Sequence, residues 1–326
     1  MMNHKNLDIW QGRNDPEEGQ NADRWHHRAV LAGDEALDVQ AEDAALIGFC
    51  CDEGVERNQG RVGAEEGPRA FRQQLSNIAW HNGAGRLFDL GDLDCVDGDL
   101  EAAQEALGGA VAKALGEFGR VLVVGGGHET AVGSFSGLYR HLGEDARIGI
   151  INLDAHLDLR MPPAAGPSSG TPFYQIRNMV KPGNFKYICL GVAKESNTKS
   201  LFDRADEWGA EYVFDTELKN FEGAWLTKKL ENFVSTVDAI YLTIDLDLLP
   251  HYQAPGVSAP AIRGVEMQDV ERIVQIVTKV ASQCRFGMPL ADIVELNPQF
   301  DLTGVTARSA AFLATELLKG SNETSE

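Results

Sequence analysis

From Ala44 onward the chain alternates short, almost unbroken apolar runs with longer stretches in which apolar residues return at helical spacing. The runs ALIGFC (45–50), RLFDLG (86–91), RVLVVG (120–125), RIGIINLD (147–154), YICLGV (187–192), AIYLTIDL (239–246) and ADIVEL (291–296) predict strands. Near-continuous Val, Ile and Leu, rather than strict alternation with polar residues, marks strands buried on both faces. Between them, segments such as DLEAAQEALGGAVAKALGEF, DVERIVQIVTKVASQ and TARSAAFLATELLKG predict helices. This order implies an α/β fold in which a mostly parallel sheet carries helices on both faces. Residues 1–40 are polar and rich in turn formers, as in QGRNDPEEGQ, and predict an irregular or partly helical lead-in. The loop MPPAAGPSSGTP (161–172) directly follows a candidate site and is expected to shape it rather than to join domains. A single domain over 1–326 is therefore expected, with a frayed tail over 320–326 that lacks apolar anchors.

Charge narrows the partners. Asp and Glu number 49 against 29 Lys and Arg, for a formal net charge of -20. That balance disfavours nucleic acid and anionic membranes, whose phosphates are held by clustered Lys and Arg. It serves solubility, and bound cations could neutralise part of it. The cysteines, Cys50, Cys51, Cys95, Cys189 and Cys284, are odd in number and form no CxxC pair, so neither a disulfide framework nor a thiolate metal site is suggested. MMNHKNLDIW lacks an apolar signal-peptide core, and no apolar run approaches the about 18 residues of a membrane helix. The expected compartment is the reducing cytoplasm.

Three predicted strands end in residues that metal ions favour. RVLVVG leads into a turn in which His128 follows Gly125, Gly126 and Gly127. Glycines there let the chain turn sharply and approach a ligand closely, although a phosphate-cradling loop or an ordinary strand-to-helix turn would use them too. In INLDAHLDLR, strand conformation continued past Leu153 would put Asp154, His156 and Asp158 on one face. They would converge beyond the C-terminal end of a buried strand, where open α/β sheets bind ligands; the alternative is a polar loop whose acids cap turns. AIYLTIDLDLLP repeats the two-residue spacing with Asp245 and Asp247. Buried apolar sequence before them makes an uncompensated carboxylate pair costly, unless both acids cap turns.

Together the motifs supply four carboxylates and two imidazoles, a charge of roughly -4 that two divalent ions would neutralise. Oxygen and imidazole donors without thiolate suit Mn2+, and also accept Zn2+, Fe2+, Co2+ or Ni2+. Two such ions about 3.5–4 Å apart share a water and lower its pKa, which is hydrolytic chemistry. Glu295 ends a fourth predicted strand, in ADIVELNPQFD, where it could pair with a cationic substrate group or cap a surface turn.

In this order the motifs resemble the signatures of the arginase, agmatinase and formimidoylglutamase (ureohydrolase) family. Its Gly-Gly-x-His turn, D-A-H-x-D and S-x-D-x-D strand ends and later E-x-N-P appear here as GGGHE, DAHLD, TIDLD and ELNP, between 125 and 298. A looser match begins at GRVGAEEGPRAFR (60–72). The resemblance implies a three-layer α/β/α sandwich, two Mn2+ per chain, hydrolysis of amidine-type C–N bonds and a homo-oligomer. By position it implies His128, Asp154, His156, Asp158, Asp245 and Asp247 as metal ligands. Asp158 would pass the proton of the attacking hydroxide to the leaving amine, and Glu295 would hold the amidinium or guanidinium of a small-molecule substrate.

Departures from the arginase pattern point within the family. Phe173 stands where arginases carry a proton-shuttling His, Arg160 where they carry Asn, and Pro250 where arginases and agmatinases carry a further Asp. DLR after the DAH motif, SSGTPF and APGVSAP look like the formimidoylglutamase branch, which cleaves N-formimidoyl-L-glutamate to L-glutamate and formamide in histidine degradation. That substrate joins a cationic formamidine to two carboxylates, and Arg160 could hold a carboxylate bidentately or simply pair with a neighbouring acid. Ser168, Ser169, Thr171, Asn197 and Arg61 lie in segments that could add donors, or could serve ordinary loop hydrogen bonding. The remaining histidines, His4, His26, His27, His81, His141 and His251, read as surface residues. The rival expectations are a guanidino hydrolase (agmatinase, guanidinobutyrase or arginase) releasing urea, and a non-catalytic metal-binding protein on the same fold.

Overall fold

The computed structural model describes residues 2–3, 9–32, 38–81 and 85–319. Among the described residues, nine strands form one all-parallel sheet: β1 (Ala29–Leu31), β2 (Ala44–Cys50), β3 (Leu87–Asp94), β4 (Val121–Val124), β5 (Ile148–Leu153), β6 (Lys186–Val192), β7 (Glu211–Phe214), β8 (Ala239–Asp245) and β9 (Leu290–Val294). The helices are α1 (Trp25–Arg28), α2 (Glu53–Arg57), α3 (Gly67–Leu75), α4 (Leu100–Leu115), α5 (Thr130–Leu142), α6 (Pro172–Met179), α7 (Lys199–Trp208), α8 (Gly223–Val234), α9 (Met267–Ala281) and α10 (Val305–Leu318). Every predicted strand and each of the three helical segments is present within a few residues.

Period-2 alternation along the strands separates two apolar cores, one on each side of the sheet. Ile240, Leu242 and Ile244 of β8 pack in the core with α3, α8, α9 and α10. Tyr241 faces the opposite core, built with α4, α5, α6 and α7. The result is a three-layer α/β/α sandwich. Among the described residues, no helix is long and apolar enough to cross a membrane.

Strand order places the chemistry. Across the sheet it runs β1-β3-β2-β4-β9-β8-β5-β6-β7, so β4, β9, β8 and β5 are consecutive neighbours. β4, β9 and β5 lead into His128, Glu295 and Asp154, and β8 ends in Asp245. Parallel pairing puts all four C-terminal ends on one edge, where the connectivity reverses direction and open sheets form their crevice.

The expected irregular or partly helical lead-in over 1–40 does hold short helices, at Pro16–Ala22 and Trp25–Arg28, but it also holds a strand that was not expected. Residues 29–31 form edge strand β1, paired with β3, and Trp25 is buried against Trp80 with ring centroids 4.5 Å apart. β7 was likewise absent from the predicted strands. These two are the outermost strands, only half-buried along most of their length, so neither shows the continuous apolar run of a central strand. The 320–326 tail and His4 lie outside the described residues.

One buried ionic cluster ties α3 to the sheet. The Arg72 guanidinium donates to Asp89 Oδ2 at 2.7 Å, Asp89 Oδ1 at 2.8 Å and Asp92 Oδ1 at 2.6 Å, with all three residues buried. Trp10 Nε1 adds a donor to Asp89 Oδ2 at 2.8 Å. Removing the cation would strand two carboxylates in a site that water does not reach. Arg72→Ala is therefore expected to destabilise the fold by about 3–5 kcal/mol in chemical denaturation. A loss below about 1 kcal/mol would mean that the cluster is far better solvated than its burial indicates.

Candidate metal centre

Each motif reaches the site by a different local device. After β4, the Gly125–Gly127 turn passes against the loop after β2. A Cβ at Gly126 would stand 1.6 Å from the Cys51 carbonyl oxygen, so a larger residue would push the turn away. His128 follows, fully buried, and α5 begins two residues later at Thr130. β5 ends at Leu153, and the expected continued strand does not occur. Instead the 154–158 segment folds back, and Asp158 adopts a left-handed φ of 47°. Asn197 holds this turn: its Oδ1 accepts from the Leu157 N–H, and its Nδ2 donates to the Ala155 and Ala193 carbonyls, each at 2.9 Å. Asp247 similarly sits in a one-turn 3-10 helix, Leu246–Leu248, with its N–H donating to Asp245 Oδ1 at 2.8 Å.

All six expected ligand residues converge. His128 Nδ1 lies 3.1 Å from Asp154 Oδ2, 3.2 Å from Asp158 Oδ2 and 3.1 Å from Asp245 Oδ2. His156 Nδ1 lies 2.9 Å from Asp247 Oδ2 and 3.5 Å from Asp154 Oδ1. Two sets result, His128–Asp154–Asp158 and Asp154–His156–Asp247, sharing Asp154 through its two different oxygens. Asp245 completes the first set.

The electrostatics of this cluster are unresolved without cations. Burial pushes the Asp245 pKa well above the ordinary carboxylate range, and the Asp247 and Asp154 charges push it further. Burial also raises Asp247 to about 6, against the pull of His156. His128 and His156 are raised well above the usual imidazole value by the surrounding carboxylates, although burial opposes this. His128 Nδ1 and Asp247 Oδ1 are buried with no hydrogen-bond partner. Such orphaned ligand-type atoms, one in each of the two carboxylate and imidazole sets, fit a pair of divalent cations.

Glu295 closes the cluster from β9 in a left-handed conformation, φ 69°. Its Oε1 accepts from the His128 N–H at 3.0 Å, while its buried Oε2 has no partner. Burial, with the charges of Glu129 and Asp247, raises its pKa to about 8.

The expected substrate donors divide. Arg160 is exposed, with its Nη1 donating to Asn58 Oδ1 at 3.1 Å and its N–H to the Gly170 carbonyl. Ser168 and Ser169 are buried in the adjoining turn. Asn197, Thr171 and Arg61 make hydrogen bonds within the protein itself. Asn197 spends its carboxamide on the 155–157 turn, as above. The Thr171 hydroxyl closes a turn with the Ser168 backbone. The Arg61 guanidinium donates to the Pro255, Val257 and Ser258 carbonyls and stacks on Phe300. Phe173 lies edge-on to His128, with ring centroids 5.3 Å apart, and is fully buried.

One supporting residue escaped the sequence reading. Asn152 donates to Asp154 Oδ2 at 3.0 Å from within β5. A polar residue two positions before a ligand, inside an otherwise apolar strand, was the available signal.

The chain is similar to known proteins over nearly its whole length. A family model described as the arginase family matches residues 42–319. The formimidoylglutamase of Aeromonas hydrophila is 47% identical over 323 residues, covering 98% of this chain and 99% of that protein. The crystal structure of Trypanosoma cruzi formiminoglutamase with Mn2+ superposes with a TM-score of 0.74 at 26% identity, covering 85% of this chain and 92% of that one. The Bacillus subtilis formimidoylglutamase structure has a TM-score of 0.81 at 21% identity, covering 95% and 94%, and shares the fold.

After loading with Mn2+ and desalting, elemental analysis is expected to find about two ions per chain. In Asp154→Asn, which weakens the residue common to both sets, retention is expected to fall for both ions. A wild-type value near zero would dismiss the metal centre, and a value near one would indicate a mononuclear site.

Proposed function

The chain belongs to the arginase family, and we propose that within it this protein hydrolyses N-formimidoyl-L-glutamate to L-glutamate and formamide. The observation that carries the reaction class is the pair of ligand sets joined at Asp154. His128, Asp154, Asp158 and Asp245 would hold one Mn2+, and Asp154, His156 and Asp247 the other, with Asp245 near both. When bound, such a metal pair supplies a water acidified to near neutral pH as the nucleophile.

The chain's own groups do the rest. Asp158, through the carboxylate oxygen that is not turned to the metal set, accepts the proton released as water adds to the formimidoyl carbon and delivers it to the glutamate nitrogen as that C–N bond breaks. Glu295, fixed through Oε1 by the His128 N–H, offers its unpartnered Oε2 to the formamidinium. A cation there favours the charged carboxylate that burial disfavours. Arg160, exposed two residues beyond Asp158, takes a carboxylate of the glutamate part. Ser168, Ser169, Thr171, Asn197 and Arg61 are candidate further donors. Phe173, apolar and packed against His128, supplies no proton shuttle, unlike the His of arginases at that place.

The near-full-length similarity to a formimidoylglutamase supports this substrate over a guanidino compound, and supports a place in histidine degradation. We further propose that the whole chain acts as one domain in a homo-oligomer, with no nucleic-acid or membrane partner. Its setting would be the cytoplasm, for which five unbridged thiols are suited.

Formamide and urea, measured over a panel of N-formimidoylglutamate, agmatine, guanidinobutyrate and arginine, decide between the branches. Formamide from the first substrate is expected; urea as the main product would move the assignment to a guanidino hydrolase. Arg160→Ala should raise KM for N-formimidoylglutamate about 10- to 100-fold, in line with the roughly 1.5–3 kcal/mol of a hydrogen bond to a charged group. Metal content should stay unchanged. Arg160→Lys should recover only part of the loss, because an ammonium lacks the two-pronged contact. A KM within a factor of two for Arg160→Ala would make Arg160 structural.

A further inference from the structure

The loop that carries Arg160 leans on the short helix α2. The Ser169 N–H donates to the Gly54 carbonyl at 3.0 Å, and Arg57 Nη1 donates to the Pro167 carbonyl at 3.3 Å. α2 is in turn fixed to the centre, because the Gly54 N–H donates at 2.9 Å to Oε1 of buried Glu129, the residue after His128. Half-buried Asn58 stands at the C-terminal end of this helix, and its Oδ1 accepts from Arg160 Nη1 at 3.1 Å. Gly170 makes room for the pair. A Cβ there would lie 3.2 Å from Arg160 Cδ and 3.3 Å from Asn58 Oδ1, so both side chains pass close against the backbone of the loop.

We infer that Asn58 is a positioning residue for an anionic substrate: it steers the Arg160 guanidinium while leaving that group's charge open to a carboxylate. This rests on the substrate role given to Arg160 above. A guanidinium only donates, so its chemistry requires the oxygen of the Asn58 amide, not the nitrogen, to face it. An exposed arginine samples many rotamers, and a ligand that must order it binds more weakly for that reason. One neutral hydrogen bond narrows the search without competing for the charge.

The neighbouring residue shows the contrast. Arg57 pairs with Glu53 at 2.8 Å and with Glu101 at 3.3 Å, and its cation is answered by the protein. Among the described residues Arg160 makes no ion pair, and its one side-chain hydrogen bond is to the Asn58 amide. In a chain with 49 acidic residues against 29 basic ones, a neutral partner keeps this cation available. An acid in place of Asn58 would hold Arg160 in the same geometry, but it would compete with the substrate's carboxylate and repel it.

Steady-state kinetics of the Mn2+-loaded enzyme on N-formimidoylglutamate test this with three variants, thermal unfolding being followed alongside. Asn58→Asp is nearly isosteric and keeps the acceptor, Asn58→Ala removes it, and Asn58→Ala is also combined with Arg160→Ala. Asn58→Ala should raise KM about 3- to 10-fold, the scale of one lost hydrogen bond. Asn58→Asp should raise it about 10- to 100-fold, the scale of a like charge set against the substrate. In both, the loss should fall on KM rather than kcat, with metal content as in wild type. The double variant should match Arg160→Ala, because Asn58 acts only through that side chain. A role confined to holding the fold predicts the opposite order, since Asp preserves shape and acceptor while Ala loses both. A KM in Asn58→Asp no higher than in Asn58→Ala, or losses that add in the double variant, would overturn the inference. If Asn58→Ala does not fold, Asn58→Asp decides, and a wild-type KM there overturns it. Wild type that leaves the substrate intact, or Arg160→Ala with unchanged KM, would remove the substrate role of Arg160 and this inference together. That outcome is distinct from one in which Arg160 matters and Asn58 does not.

Discussion

Mutual repulsion among Asp154, Asp158, Asp245 and Asp247, gathered at the ends of neighbouring strands and largely cut off from water, is the constraint on which the rest of the structure turns. Two unit charges 4 Å apart interact by about 4 kcal/mol at the effective dielectric of a protein interior. Four carboxylates cannot relieve that repulsion by moving apart, because their strands are locked in register and packed on both faces. The two imidazoles answer part of it as hydrogen-bonding and cationic neighbours. Divalent cations answer the whole of it, and the cluster is shaped for them, with Asp154 turning one oxygen toward each histidine.

Holding such a cluster together requires a scaffold that does not relax when the cations are absent. The backbone supplies it through contacts that leave little freedom: the Gly126 turn pressed on the Cys51 carbonyl, the Glu295 carboxylate clamped by the His128 N–H, and Asn197 stitching the 155–157 turn. Asp158 and Glu295 both take left-handed backbone conformations that non-glycine residues disfavour by about 1–3 kcal/mol. Both are residues to which the mechanism gives a proton or a cation to handle. The strain is tolerated because stiff central strands surround it.

On the proposed function, discrimination within the family would lie outside this rigid core. The metal-facing residues would serve any amidine or guanidine, whereas Arg160 and Phe173 differ from the arginase pattern in charge and in proton-carrying capacity. Arg160 is exposed and lightly held, by Asn58, so it can reorganise around a carboxylate at little cost. Phe173 is sealed against His128 and Tyr187, and contributes shape rather than chemistry.

The amino-acid sequence by itself determined the parallel α/β architecture, since continuous apolar runs at seven places can only be strands buried on both faces. It also marked out the six acids and histidines that the structure brings together, because their two-residue spacing after such runs sets them at neighbouring strand ends. It did not determine edge strands β1 and β7, which bury too little to leave a pattern. Nor could it show the contacts that Asn197 and Arg61 make within the protein, since their partners include carbonyls 42 and 196 residues away. Strand order was likewise a tertiary decision: the runs appear along the chain as β4, β5, β8, β9 and stand in the sheet as β4, β9, β8, β5. The folded-back turn at Asp158 and the contact of Arg160 with Asn58, 102 residues before it, arise only there. A periodic pattern reports which face of an element is buried; which buried faces become neighbours is set by how the strands pair.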